Sequence, residues 1–444
     1  MKILPFRGYR YNTQKISCLD DVISLPYDQF KNGWDKRFHG RHPYNISHII
    51  MNPESPEDTE INNRYTRSRK LLNSWINKNI FIRDDQPCLY PYYQEYRTLS
   101  GEYVTRKGIV ALGEISDYSQ EIVFPHEQTL TKPKEDRLKL LRSTLLDSGL
   151  IFMLYSDPIG RVEEKIDQLV IESASWSAKS NDSIKNKIWK ISDSSGIASI
   201  QKLLQEKSVI IADGHHRYEV AREFKKESSK KGKHDIRWNS YSYKLINLIR
   251  MESPALTIRP IHRILFNLEE FDGGTFLNNL KKFFIIKPIK LNFTKKKESI
   301  NNLLLLLKKE QGKGSNTFGV FIPSLNLIAI LSLNPSSMNL VKWPSNKSLL
   351  WRKLDVSILQ VIILNYLLGI GENELAKGNK VEYVSNSLEA FDKVKDLKGQ
   401  CLFWLNPTPI EEVKAVVHSQ DLLPQKSTHF HPKLMEGLIF AKHL

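Results

Sequence analysis

A chain of 444 residues, 41% of them apolar, is too long for one ordinary core, so two or three domains are expected. Its three cysteines, Cys18, Cys88 and Cys401, are odd in number and far apart, which argues against a disulfide framework or a Cys-based zinc site and for a reducing, cytoplasmic setting. A net charge of +16 invites nucleic acid as a partner, but the lysine runs at Lys225-Lys226, Lys281-Lys282 and Lys295-Lys296-Lys297 lack interleaved aromatics and read as solvated surface.

The first residues, Met1 to Arg7, lack the apolar stretch of a signal peptide, and Pro5 would interrupt one. Prolines punctuate the next stretch at Leu25-Pro26-Tyr27-Asp28 and His42-Pro43-Tyr44-Asn45, each pushing its predecessor toward extended geometry. Tyr65, Leu72, Trp75 and Ile76 fall at helical spacing, so a helix is expected over about 57–78, opened by Pro53 and Pro56. Runs at 88–96 and 105–115 read as a hairpin. In the dense polar stretch 125–142, Pro133 suits a first helical turn.

The unbroken apolar run 150–155 reads as buried strand. Helices near 160–173, 195–206 and 218–228 alternate with strands near 187–191, 208–212 and 244–251. Gln311-Gly312-Lys313-Gly314-Ser315 lacks P-loop spacing and reads as a hairpin turn. The longest apolar run, 358–370, contains Gln360 and Asn365 and falls short of the about 20 residues that span a bilayer. It reads as part of a buried helix over 354–368, and no membrane partner is expected. A strand near 400–405 and a helix near 410–417 follow. The whole describes an α+β or α/β fold of mixed sheets with flanking helices, divided as 1–120, 121–255 and 256–444.

The chemistry concentrates at Asp213-Gly214-His215-His216-Arg217, between an apolar strand and an amphipathic helix. A strand's carboxyl end is where layered α/β proteins place ligands, and a helix N-terminus favours anions. His215, His216 and Arg217 together supply two switchable donors and a planar fork suited to phosphate oxygens. Asp213 is a candidate metal ligand or proton acceptor. The competing account is a capped helix start, with Asp213 as the N-cap.

A second constellation is His126-Glu127 with Lys132 and Arg137, an imidazole, a carboxylate and cations of the kind phosphoryl transfer uses. Its competing account is a charged helix start. Asp28 and Asn45, on the Pro-Tyr turns, and Lys426, Ser427 and His431, in the polar tail, are further candidates for holding a substrate.

These motifs, in order, resemble a family known as domain of unknown function 1015. The likeness runs through Leu4-Pro5-Phe6-Arg7, Pro26-Tyr27-Asp28, Pro43-Tyr44-Asn45, His126-Glu127-Gln128-Thr129 and Lys132-Pro133-Lys134-Glu135-Asp136-Arg137. It continues through Ala212 to Glu219, Leu354-Asp355-Val356, Asn406-Pro407-Thr408-Pro409 and Pro424-Gln425-Lys426-Ser427-Thr428. The Asp-Gly-His-His-Arg segment is also similar to the signature of the ParB and sulfiredoxin superfamily, which includes free-serine kinases.

The resemblance implies a ParB/sulfiredoxin-like core at 121–255 and a kinase moving phosphate from ATP, ADP or pyrophosphate to a small hydroxyl compound, free L-serine above all. It implies donor phosphates on His215, His216 and Arg217, Mg²⁺ on Asp213, and neutralising charge from Lys132 and Arg137. Glu127 is then the base, with Asp28 as its rival, and His216 acts beside Asp213. The remaining alternative is a nucleotide-binding regulatory or DNA-associated protein without kinase activity. Leu25, where the family has a second proline, and Gln29 depart from the pattern.

Overall fold

The computed structural model describes all residues except 31–32, 99–100, 129–131, 181, 231–239, 291–292 and 444, and only the backbone of 34, 35, 132, 133, 230, 293 and 376. The chain forms two compact units. The first comprises Met1–Pro125, Thr129–Thr257 and Pro432–Leu444; the second comprises His126–Gln128 and Ile258–His431.

The first unit is built on a nine-stranded mixed sheet. Its strands are β1 (Ile3–Leu4), β2 (Tyr90–Arg97), β3 (Tyr103–Glu114), β4 (Val123–Pro125), β5 (Ile151–Tyr155), β6 (Trp176–Lys179), β7 (Lys185–Ile188), β8 (Val209–Asp213) and β9 (Tyr243–Arg250). They lie in the order β4-β8-β5-β9-β3-β2-β7-β6, with β1 beside β3, so residues on both sides of position 120 share one sheet. β8 runs parallel to β4 and β9 parallel to β5, whereas the β2–β3 hairpin and the other pairs are antiparallel.

Every residue of β5 is buried, as its unbroken apolar run requires. Ile151, Met153 and Tyr155 share a core with Val209 and Ile211 of β8, Ile246 and Leu248 of β9, and three helices. Those helices are Arg161–Leu169 (Val162, Ile166), Ser194–Gln205 (Ile200, Leu204) and His215–Lys230 (Tyr218, Ala221). The last is called α1 below. Burying roughly twenty such side chains at about 1.5–3 kcal/mol each opposes the conformational entropy of a unit this size.

The helix expected over 57–78 begins later, spanning Arg64–Asn77. Asn63, not a proline, starts it: its side chain accepts the N–H groups of Tyr65 and Thr66, while the Thr66 hydroxyl accepts the Asn63 N–H.

The second unit carries a six-stranded antiparallel sheet. Its strands, in spatial order, are Phe284–Pro288, Leu327–Leu333, Thr317–Ile322, Cys401–Trp404, His262–Leu265 and Val381–Val384. Leu303 and Leu307 of the helix Lys296–Gln311, with Ala390 and Val394 of the helix Ser387–Asp396, cover one face through Ile264, Leu402 and Trp404. Residues 311–315 are not a hairpin turn. They end the helix Lys296–Gln311 and lead into the strand at Thr317, with Gly314 at φ +81° in the left-handed region.

The buried helix expected over 354–368 is only partly α-helical. One α-turn, Asp355–Ile358, passes directly into a π-helix over Leu359–Leu367. Apolar periodicity cannot distinguish the two, because Val361 to Leu364 are buried in succession. All three cysteines are free, and no helix among the described residues is long and apolar enough to cross a membrane.

Candidate functional site

The Asp213 loop forms where β8 ends. Its ladder with β5 shifts register between Ile211 and Asp213, and Gly214 turns the chain at φ +94° into α1. Only glycine adopts that conformation without strain, and a Cβ there would stand 3.2 Å from the Arg217 guanidinium. On the other side, a Cβ at Gly149 would meet the Arg217 Cδ at 2.8 Å. Two glycines thus make the slot in which Arg217 lies, 7% exposed.

Within that slot the guanidinium faces protein groups. Nη1 donates to the Leu150 carbonyl at 2.6 Å, Nη2 donates to Asp213 Oδ2 at 3.2 Å, and Asp28 Oδ2 stands 3.6 Å from Nη2. Burial alone would lower the pKa of Arg217, but Asp28, Asp213 and Glu436 together raise it above the usual arginine range. Arg217 was expected as an open fork for phosphate; here it is the buried cation that holds Asp28 beside Asp213.

The other oxygen of Asp213 accepts from Lys433 Nζ at 3.1 Å. Burial raises the Asp213 pKa, yet Lys433 and then Arg217 outweigh it and hold the carboxyl well below its ordinary range. With a cation on each oxygen, Asp213 is not arranged as a ligand for Mg²⁺. No group of three His, Cys, Asp or Glu side chains suited to a metal ion occurs among the described residues. The donor set therefore does not fit a preformed metal centre.

Lys433 reaches this point because its segment is fastened to the sheet. Arg106 donates to the Pro432 carbonyl at 2.5 Å, Gln94 to the Lys433 carbonyl at 3.0 Å, and the Met435 N–H to the Tyr92 hydroxyl at 3.3 Å. The same segment delivers Glu436, whose backbone exchanges hydrogen bonds with Ser24 and whose Oε2 accepts from Ser148 at 2.8 Å. Burial pushes the Glu436 carboxyl up, against the pull of Arg217.

Tyr27, Arg137, Ser148, Arg217 and Glu436 line a cavity of about 70 Å³. The Tyr27 hydroxyl is buried there without a hydrogen-bond partner among the described residues, and burial, reinforced by Asp28, raises its pKa to about 12. Sequence reasoning missed Lys433 and Glu436. Neither falls in a periodic or motif-like context, and the nearest signal was the polar tail that leads to Pro432.

The remaining expected residues divide cleanly. His215 is 9% exposed and acts electrostatically on Asp213, and His216 is half-buried on the first turn of α1. Arg137 donates to the Ile50 carbonyl and to Asp136, with its guanidinium 4.4 Å from the Tyr27 ring centroid. Asn45 is fully buried: its amide donates to the Asp21 and Ile23 carbonyls and accepts from the Ser47 N–H, so it builds the turn that carries it. The Lys132 side chain lies outside the described residues.

His126, Glu127, Lys426 and Ser427 belong to the second unit, where they do come together. Glu127 Oε1 accepts the Lys426 N–H at 2.8 Å, and His126 Nε2 lies 2.8 Å from Thr428 Oγ1 and 3.9 Å from Glu127 Oε2. Lys426 sits at φ +59°, its carbonyl accepting from Arg263, while the Ser427 hydroxyl donates to the Pro424 carbonyl. His431 is 8% exposed in the short strand His429–His431.

The family model described as a protein of unknown function, DUF1015, matches residues 3–357. The chain belongs to that family. No curated protein matches this DUF1015 chain. Among solved structures, a variant free serine kinase in complex with AMP is 11% identical, with 72% of this chain and 86% of that chain covered and a TM-score of 0.36. A conserved hypothetical protein from Pyrococcus furiosus is 10% identical, with 72% and 90% covered and a TM-score of 0.34. C-terminally truncated SbnI from Staphylococcus aureus is 10% identical, with 74% and 85% covered and a TM-score of 0.33. These likenesses are too remote to assign the activity of the DUF1015 chain.

Proposed function

We propose that this DUF1015 protein is a phosphotransferase that moves phosphate from a nucleotide or pyrophosphate to the hydroxyl of a small metabolite, with free L-serine the acceptor that its motifs suggest. The observation that carries the reading is the line of charge Asp28–Arg217–Asp213–Lys433 at the N-terminus of α1. An entering phosphate meets the helix dipole, His215 and His216 as donors, and Lys433 as a neutralising cation. Arg217 acts through its neighbours: it fixes the two carboxylates and does not itself offer an open fork.

Asp28 takes the role of base in this reading. Its side chain is 25% exposed beside Arg217, so it is both oriented and open to solvent. It accepts the acceptor's hydroxyl proton as that oxygen attacks phosphorus and the donor's bridging oxygen departs. Glu127, engaged with Lys426 in the second unit, is left with that unit's own turn.

The test is to incubate purified protein with ATP, ADP or pyrophosphate and a panel of hydroxyl compounds including L-serine, with and without Mg²⁺, and to follow products by phosphorus NMR. A phosphorylated acceptor is expected from at least one pair. Asp28→Asn should lower turnover by about 10²-fold or more while donor binding persists. No product from any pair overturns the reading.

A further inference from the structure

The second unit holds a cavity of about 640 Å³, within the range of small-molecule sites. Five carboxamides, Gln128, Asn346, Gln360, Asn365 and Gln425, line it together with the aromatic rings of Trp351 and Tyr383. Among the described residues none of these five amides has a side-chain hydrogen bond, so each keeps a donor and an acceptor for a ligand.

The wall that carries Gln360 and Asn365 is the π-helix Leu359–Leu367. In an α-helix, at about 100° per residue, two positions five apart point roughly 140° away from each other. Hydrogen bonding from i to i+5 closes the turn on the same face. The π-helix is thus what turns both amides toward one cavity, and the Ile370 N–H meets the Leu364 carbonyl at 2.7 Å where the wide turns end. Such helices are rare and are frequent at functional sites.

The charge of the lining restricts the ligand. Although the chain is strongly basic, Lys347 is the cavity's one cation among the described residues, and it is held by Asp421 at 3.4 Å with its ammonium 5.6 Å from the Trp351 ring centroid. Glu372 stands at the rim. Nothing here concentrates positive charge for a phosphate. Amide edges and aromatic faces instead match a flat ring system whose perimeter carries both donors and acceptors.

We infer that this cavity is a binding site for an uncharged planar heteroaromatic compound, the chemistry shared by nucleobases and nicotinamide. The site shares no residue with the Asp213 loop, so its failure leaves the phosphotransferase reading standing.

Isothermal titration of the full-length protein with adenosine, guanosine, cytidine, uridine and nicotinamide tests it. At least one should bind, and which one does identifies the source of the ring. Gln360→Leu and Asn365→Leu should each weaken binding roughly tenfold, the effect of one hydrogen bond left unmade, with unchanged melting temperature. Asp213→Asn should bind equally well. No binding by any compound, or wild-type affinity in both leucine variants, would overturn the inference.

Discussion

Replacing Lys433 by Met removes the partner of one Asp213 oxygen and leaves the side chain's apolar length in place. The lost contact is a 3.1 Å charge-assisted hydrogen bond between side chains 12% and 18% exposed. Hydrogen bonds to charged groups contribute about 1.5–3 kcal/mol, and breaking one ion of a fully buried pair costs about 3–5 kcal/mol. Asp213 keeps Arg217 and some solvent, so the expected loss at pH 7 is about 2 kcal/mol. Urea denaturation of the single variants Lys433→Met and Asp213→Asn and of the double variant isolates the pair. The loss from Lys433→Met should fall below about 0.5 kcal/mol when Asp213 is already Asn. Acid should also erase it. The folded carboxyl titrates below its unfolded value, so the stabilisation is complete above about pH 4 and fades as pH falls toward the folded value. An equal loss in both backgrounds would refute the assignment of Lys433 to Asp213.

Two further perturbations test the slot and the second unit. Gly149→Ala drives a methyl to 2.8 Å from the Arg217 side chain and Gly214→Ala forces φ +94° on an alanine; each should cost about 1–3 kcal/mol by thermal unfolding. A melting temperature unchanged in both would mean that Arg217 does not occupy the slot. In the second unit, burial raises the Asp355 pKa to about 7, opposed by a 2.7 Å hydrogen bond from Asn316 and reinforced by Glu412. A raised acid favours folding while protonated, so stability should decline by a few kcal/mol as pH rises from about 4 to 7. Asp355→Asn should flatten that dependence in a pH series of denaturation curves, and an unaltered slope would assign it elsewhere.

Much of the fold was legible because its core strands are unambiguous. Buried strand was the simplest account of the run Ile151–Tyr155, and the hairpin of Tyr90–Arg97 with Tyr103–Glu114 brackets its own turn. Local signals failed where a tertiary partner decides. Pro53 and Pro56 looked like a helix start, but the Asn63 and Thr66 side chains set it ten and seven residues further on. The π-helix was invisible because hydrophobic spacing is uninformative where Val361 to Leu364 are buried in succession. In the site, the loop was found but the state of Arg217 was not. A guanidinium beside two histidines reads as a ligand fork until Gly149, Leu150 and Asp28, each distant in sequence, are seen to enclose it.

That enclosure changes what the loop is able to do with an anion. Arg217 is held by the Leu150 carbonyl and balanced by Asp28, Asp213 and Glu436, so a phosphate cannot take its Nη2 without expelling Asp28 or Asp213 from its cation. Leaving that carboxylate unpaired would cost more than the new contact returns. In the proposed reading, an entering anion meets the first turn of α1 and the ammonium of Lys433, which shares Asp213 with Arg217. In the proposed phosphotransferase, carboxylates set by a buried arginine and a lysine delivered by the segment after Pro432 would divide positioning from binding between two cations. A substitution at Arg217 should therefore disturb the geometry of Asp28 and with it turnover, whereas one at Lys433 should disturb the affinity for the anion.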